Sequence, residues 1–178
     1  GVLILLFSYV SEKDVKIVSM KVTNVSENSA TVTWLSKTKD KGVVVVSENN
    51  DFGVLTSFSK AHYYDERDQV SGTMTDRYTH QVKVTGLNPE TKYYFRVTEG
   101  LKLTEYAYPA LETAPTLNAL VTPDPSYGSI KTGDLGDDVL IYSRFKGSTL
   151  GSSVVETNGS FSLDKTNYRT QTLDGRET

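Results

Sequence analysis

The chain has 178 residues, no cysteine and a net charge of −3 with a pI near 5.4. No disulfide can staple it, so each domain stands on its own core. The acidic balance shows no nucleic-acid footprint.

The composition is rich in Val, Thr, Ser and Tyr, which form strands and turns, and no long window keeps a helical apolar period. An all-β protein of one or two domains is expected. The chain opens on an uncharged run in which Val2, Leu3, Ile4, Leu5, Leu6, Phe7, Tyr9 and Val10 are apolar on both faces of a strand. It is shorter than the roughly 20 residues a bilayer span needs. Three readings stand: the remnant of a signal or membrane anchor, an inner strand, or a strand donated to another subunit's sheet.

From Val15 onward apolar residues recur through Ile17, Met20, Val22 and Val25, and the cluster at 26–29 reads as a hairpin turn. Thr31, Thr33 and Leu35 then alternate with Val32 and Trp34, the only tryptophan. On such a strand Trp34 reads as a core anchor rather than a ligand-stacking ring. Val43 to Val46 continue as the next strand. The stretch 58–76 is long for a sandwich connection and holds His62, Tyr63, Tyr64 and Arg67 among acidic neighbours. It suits binding of a sugar or a partner protein. It also suits a cover across the sheet edge, the favoured reading, because an open edge invites aggregation.

Residues 79–97 carry the plainest pattern. Val82 and Val84 alternate with Gln81, Lys83 and Thr85; a turn holds Gly86, Leu87, Asn88 and Pro89; Tyr93, Phe95 and Val97 then alternate with Tyr94, Arg96 and Thr98. Period two marks strands with one buried face. A Tyr just after such a corner can bury its ring while its hydroxyl bonds back to the turn. Trp34, Leu87, Pro89 and Tyr93 are thus assigned to the fold.

Val22-Thr23-Asn24-Val25, Ser29 to Trp34 and the Leu87 to Tyr93 corner together resemble a fibronectin type III domain over roughly 12–113. The long insertion and Thr79-His80 resemble the variant found at the N-terminus of purple acid phosphatases. Ser47 to Asn50 depart from the Tyr-Gly common there.

A hairpin turn at Glu99 to Leu103 and a last strand near Leu111 complete this unit. Residues 114–124, with prolines at both ends, form a stiff linker. From Tyr127 the strand pattern restarts with the run from Val139 to Ser143, with Val154-Val155, and with Phe161 and Leu163 after Asn158-Gly159. Asn-Gly between apolar runs predicts a hairpin. These motifs resemble a carboxypeptidase-regulatory-like or Cna-B-like sandwich over 125–178. That unit looks one strand short at its C-terminal end, since such sandwiches take about seven strands. The segment 1–11 is the candidate to fill the gap.

Little in the inventory suggests chemistry. Two histidines and no cysteine do not make the usual zinc site. His80 reads as structural, and no nucleophile elbow is present. Asp134, Asp137 and Asp138 beside Gly133 and Gly136 read as a solvated turn rather than a calcium loop. The Cna-B resemblance raises a Lys131–Asn167 isopeptide bond. Asn24-Val25-Ser26 and Asn158-Gly159-Ser160 are glycosylation sequons.

The sequence therefore predicts no catalytic, cofactor or metal residues. It predicts a non-catalytic extracellular or cell-surface structural subunit that self-associates into a homopolymer by strand donation. The alternative is an accessory module that binds a surface protein or glycan.

Overall fold

The computed structural model describes residues 17–50, 52, 61–99, 102–103, 110–118, 122–173 and 175. The apolar segment from Val2 to Val10 lies outside these residues. No helix among the described residues is long and apolar enough to cross a membrane.

The fold is all-β. The first unit holds β1 (Ile17–Thr23), β2 (Ser29–Asp40), β3 (Val43–Ser47), β4 (His62–Tyr64), β5 (Arg77–Thr85), β6 (Lys92–Glu99), β7 (Lys102–Leu103) and β8 (Leu111–Glu112). One antiparallel sheet has the order β1-β2-β5; the other runs β4-β3-β6-β7, with β8 also on β6. Val32 and Trp34 of β2, Val82 and Val84 of β5, Val44 of β3, and Phe95 and Val97 of β6 meet in one core between the sheets. Trp34 is 1% exposed, as its place among apolar neighbours predicts. At the corner after β5, the Asn88 N–H donates to Tyr93 Oη at 2.9 Å, and the Tyr93 ring is buried. Thr113 Oγ1 donates to Asn88 O at 2.6 Å and fixes the other side of the corner. Leu87 is buried, and Pro89 sits exposed in the turn.

The stretch 58–76 contains two elements of its own. β4 pairs with β3 through Val43↔Tyr64 and Val45↔His62 and covers that edge. The short helix α1 (Glu66–Ser71) follows, capped by Asp65, whose Oδ1 accepts from Arg67 N at 3.0 Å. It ends on Gly72 at φ 70, a left-handed cap that suits glycine.

The second unit has β9 (Pro125–Ser129), β10 (Leu140–Ser143), β11 (Gly151–Val154) and β12 (Ser160–Asp164). They form two separate ladders, β10 with β11 and β12 with β9. The hairpin expected at Asn158-Gly159 is thus corrected. Its first rung exists, with Glu156 N donating to Ser160 O at 2.8 Å, but beyond it the strands part. β11 turns to β10 and β12 to β9, because each finds a longer ladder there. Tyr168 is fully buried in this unit and lies against Gly151, where a Cβ would run into its hydroxyl. Phe145 meets the Tyr168 ring edge-on at 4.8 Å. Where the sequence looks one strand short, residues 168–170 run beside Ser148 and Thr149, with Thr149 N donating to Arg169 O at 2.8 Å.

The two units touch directly. Thr31 and Thr33, on the face of β2 opposite the core, are at most 1% exposed. Tyr142 of β10 donates to Thr33 Oγ1 at 2.9 Å. Thr23 and Ser152 hydroxyls meet at 2.6 Å. The linker begins packed as well: Ala114 is fully buried and its N–H donates to Ser26 O at 3.0 Å.

Candidate functional site

Three features of the molecule gather polar side chains where chemistry or recognition is possible. The first is a buried charge cluster behind Trp34. The His80 ring stacks on the indole at 4.6 Å and 25°. Its Nε2 lies 2.6 Å from Asp40 Oδ1 and 3.0 Å from the Arg77 carbonyl, and its Nδ1 lies 3.6 Å from Asp65 Oδ2. Burial alone disfavours a charged imidazole, but Asp40 and Asp65 outweigh it and raise the His80 pKa. Burial likewise pushes Asp65 up. Hydrogen bonds from Arg67, His80 and the Gln81 N–H reverse that and hold its carboxyl far below the usual range. Gly42 makes the close approach possible, since a Cβ there would sit 2.6 Å from His80 Nδ1. A proton-transfer group must reach its substrate. His80 and Asp65 are both fully buried, so the pair braces the junction of β2, β3 and β5.

The second feature is the clasp between the units. Arg67 binds Asp65 through two parallel contacts of 2.9 Å, and its Nη1 donates to the Asp137 carbonyl of the second unit at 2.6 Å. Asp138 accepts from Tyr78 N at 2.9 Å, from Thr79 N at 2.8 Å and from Thr79 Oγ1 at 2.7 Å. Burial raises the Asp138 pKa, and these bonds bring it below the ordinary value. At the other end Asn24 closes a pair of bonds on Ser152, and Arg169 pairs with Glu27.

The third feature is a cleft of about 430 Å³ where the units meet. Glu66, Gln81 and Lys83 line it from the first unit, and Tyr127, Val154 and Phe161 from the second.

The predicted loop residues do not form one surface. His62 and Tyr64 are exposed on edge strand β4. The Tyr63 hydroxyl donates to Thr85 O at 2.8 Å, and its ring packs on the core. Arg67 differs from His62 and Tyr64: its side chain is 8% exposed and turns inward onto Asp65. Asp137 and Asp138 serve the clasp. Lys131 and Asn167 are both exposed. Among the described residues no three His, Cys, Asp or Glu side chains are placed to hold a metal. Sequence reasoning missed Asn24 because it reads as a sequon, and missed Gln81 because it falls on the polar side of an alternating strand.

Two antiparallel sheets around a buried tryptophan, closed by a tyrosine that bonds back to its corner, define a fibronectin type III-like sandwich. Residues 15–108 match the family model described as Purple acid Phosphatase, N-terminal domain, and the chain belongs to that family. The match does not extend to the second unit. No curated protein matches the chain.

Proposed function

We propose that this chain is a non-catalytic structural module of an extracellular or cell-surface assembly, whose copies join into a homopolymer through the segment from Val2 to Val10. The supporting observation is the clasp. Arg67, Asp138 and Asn24 tie the second unit to the first by bonds to backbone groups, so the pair behaves as one body. A load-bearing subunit needs that fixed relation. The matched family is the non-catalytic N-terminal part of purple acid phosphatases, which agrees with a role without chemistry. Among the described residues β9, β10 and β12 of the second unit each have one ladder partner, which leaves edges to which a strand can add. Electron microscopy of the natively purified protein, beside a form lacking residues 1–10, tests this. Filaments that disappear on deletion support it; dispersed particles in both samples overturn it.

A second reading, an accessory module that binds a glycan or surface protein, is favoured by one observation. The junction cleft carries polar groups and an exposed tyrosine, Tyr127, that the fold itself does not use.

A further inference from the structure

We infer that the cleft between the two units is a binding site for a neutral, β-linked saccharide of about disaccharide size, an inference that rests on the accessory-module reading. The volume, about 430 Å³, lies in the range of small-molecule clefts. The lining is polar, with Glu66, Gln81 and Lys83 on one side, and an apolar ligand would strand those groups without water or partner. A polyhydroxylated ligand satisfies them.

Tyr127 supplies the apolar half of such recognition. It stands on β9 with 79% of its surface exposed, so its ring adds little to the interior. A β-linked pyranose with equatorial hydroxyls presents flat C–H faces, which stack on an exposed ring. Gln81 supplies the polar half. It is 3% exposed, its Nε2 donates to Glu66 Oε2 at 2.9 Å, and its Oε1 has no hydrogen-bond partner among the described residues. A buried acceptor without a donor is costly, and an outward turn of the Gln81 amide into the cleft it lines would offer that oxygen to a sugar hydroxyl. Burial raises the Glu66 pKa above its ordinary value, and its carboxylate oxygens accept hydrogen bonds, as from Gln81. Glu66, Glu156 and Asp164 outnumber Lys83 around the cleft, so an acidic sugar meets repulsion where a neutral one does not.

An extended peptide fits less well. Strand addition needs a continuous row of free backbone groups. The outward N–H and C=O of Ser152 on β11 are already bonded to the Asn24 side chain. That leaves no ladder along β11.

The test is an amide NMR titration of the full chain with cellobiose and N,N′-diacetylchitobiose, with digalacturonate and a Val/Thr-alternating peptide as controls. The neutral disaccharides are expected to shift the amides of β11 and β12. Tyr127→Ala is expected to weaken binding about tenfold without moving the melting temperature. Glu66→Gln, nearly isosteric, is expected to weaken it less. No shift with either disaccharide, an undiminished shift in Tyr127→Ala, or shifts with the peptide or digalacturonate alone overturn the proposal. A printed glycan array separates this failure from that of the reading beneath it. Glycans held equally by the native chain and Tyr127→Ala leave the accessory-module reading standing with its site elsewhere. No glycan held removes both.

Discussion

The side chain of Asn24 stands in for a missing strand against Ser152. Asn24 Nδ2 donates to Ser152 O at 3.0 Å, and Ser152 N donates to Asn24 Oδ1 at 3.0 Å, the paired exchange of an antiparallel rung made by one amide. The Asn24 N–H adds a third bond, to Leu150 O at 3.0 Å, and its φ of 50 suits asparagine better than most residues. The two sequons therefore differ. Asn24 is occupied by its own fold. Asn158 is exposed at a turn tip, where only its Oδ1 is engaged, by Ser160. Expressed through a glycosylating secretory pathway, the folded product should carry glycan at Asn158 and none at Asn24, which peptide mapping by mass spectrometry reads directly. Glycan at Asn24 in folded material contradicts the clasp.

Asp138→Ala should loosen the second unit from the first. It removes acceptors for two backbone N–H groups and one hydroxyl at the start of β5. The expected loss is about 1–3 kcal/mol in urea unfolding. Limited proteolysis in 114–124 should speed up as well, because fewer bonds then hold the units together across the linker. Unchanged cleavage would show that the remaining contacts suffice.

Stability should fall as pH rises above the ordinary histidine value of 6.5, through His80. Its folded pKa is raised above the ordinary 6.5 by Asp40 and Asp65 against the opposing effect of burial. The folded state then holds a proton that the unfolded state has released, so the contribution is complete below pH 6.5 and is lost as pH rises through the folded value. Asp65 acts in the opposite sense at acid pH. Its contribution is present above the ordinary 3.8 and is lost as pH falls toward its depressed value. Denaturation midpoints from pH 5 to 9 should decline on the alkaline side in the native chain and lie flatter in His80→Gln. Parallel profiles would remove His80 as the cause.

Tyr93→Phe deletes one oxygen and leaves the Asn88 N–H at the corner without its acceptor. The ring and its packing remain. A loss of about 1–3 kcal/mol is expected, with an unchanged m-value. A melting temperature equal to that of the native chain would refute the role of the corner bond.

Gly42→Ala should destabilise the first unit by about 1–3 kcal/mol. The new Cβ would stand 2.6 Å from His80 Nδ1 and 3.1 Å from Asp65 Cβ. Neither neighbour can yield easily, since His80 is stacked on Trp34 and Asp65 is locked to Arg67. The unfolding midpoint is the readout, and a neutral result would mean the β2–β3 turn shifts freely.

The first sandwich is legible along the chain. Val82 and Val84, then Tyr93, Phe95 and Val97, alternate with period two and are all buried; Trp34 and the Tyr93 corner stand where that pattern puts them. Such signals are local, because a strand's near face must be apolar to meet its own sheet partner. What covers the far face emerges only from long-range packing. Thr31 and Thr33 alternate with Val32 and Trp34 on the face away from the core, and they are buried beneath the second unit, whose Tyr142 reaches Thr33 from 109 residues away. Threonine, asparagine and aspartate can bond either water or a neighbouring chain, so their patterning is the same in both cases. For the same reason Asn24 reads as a sequon, Arg67 as part of a partner-binding loop and Asp138 as part of a solvated turn. Each became a clasp residue only when distant backbone groups came within hydrogen-bond reach, and that meeting depends on long-range packing that no local window of the sequence contains.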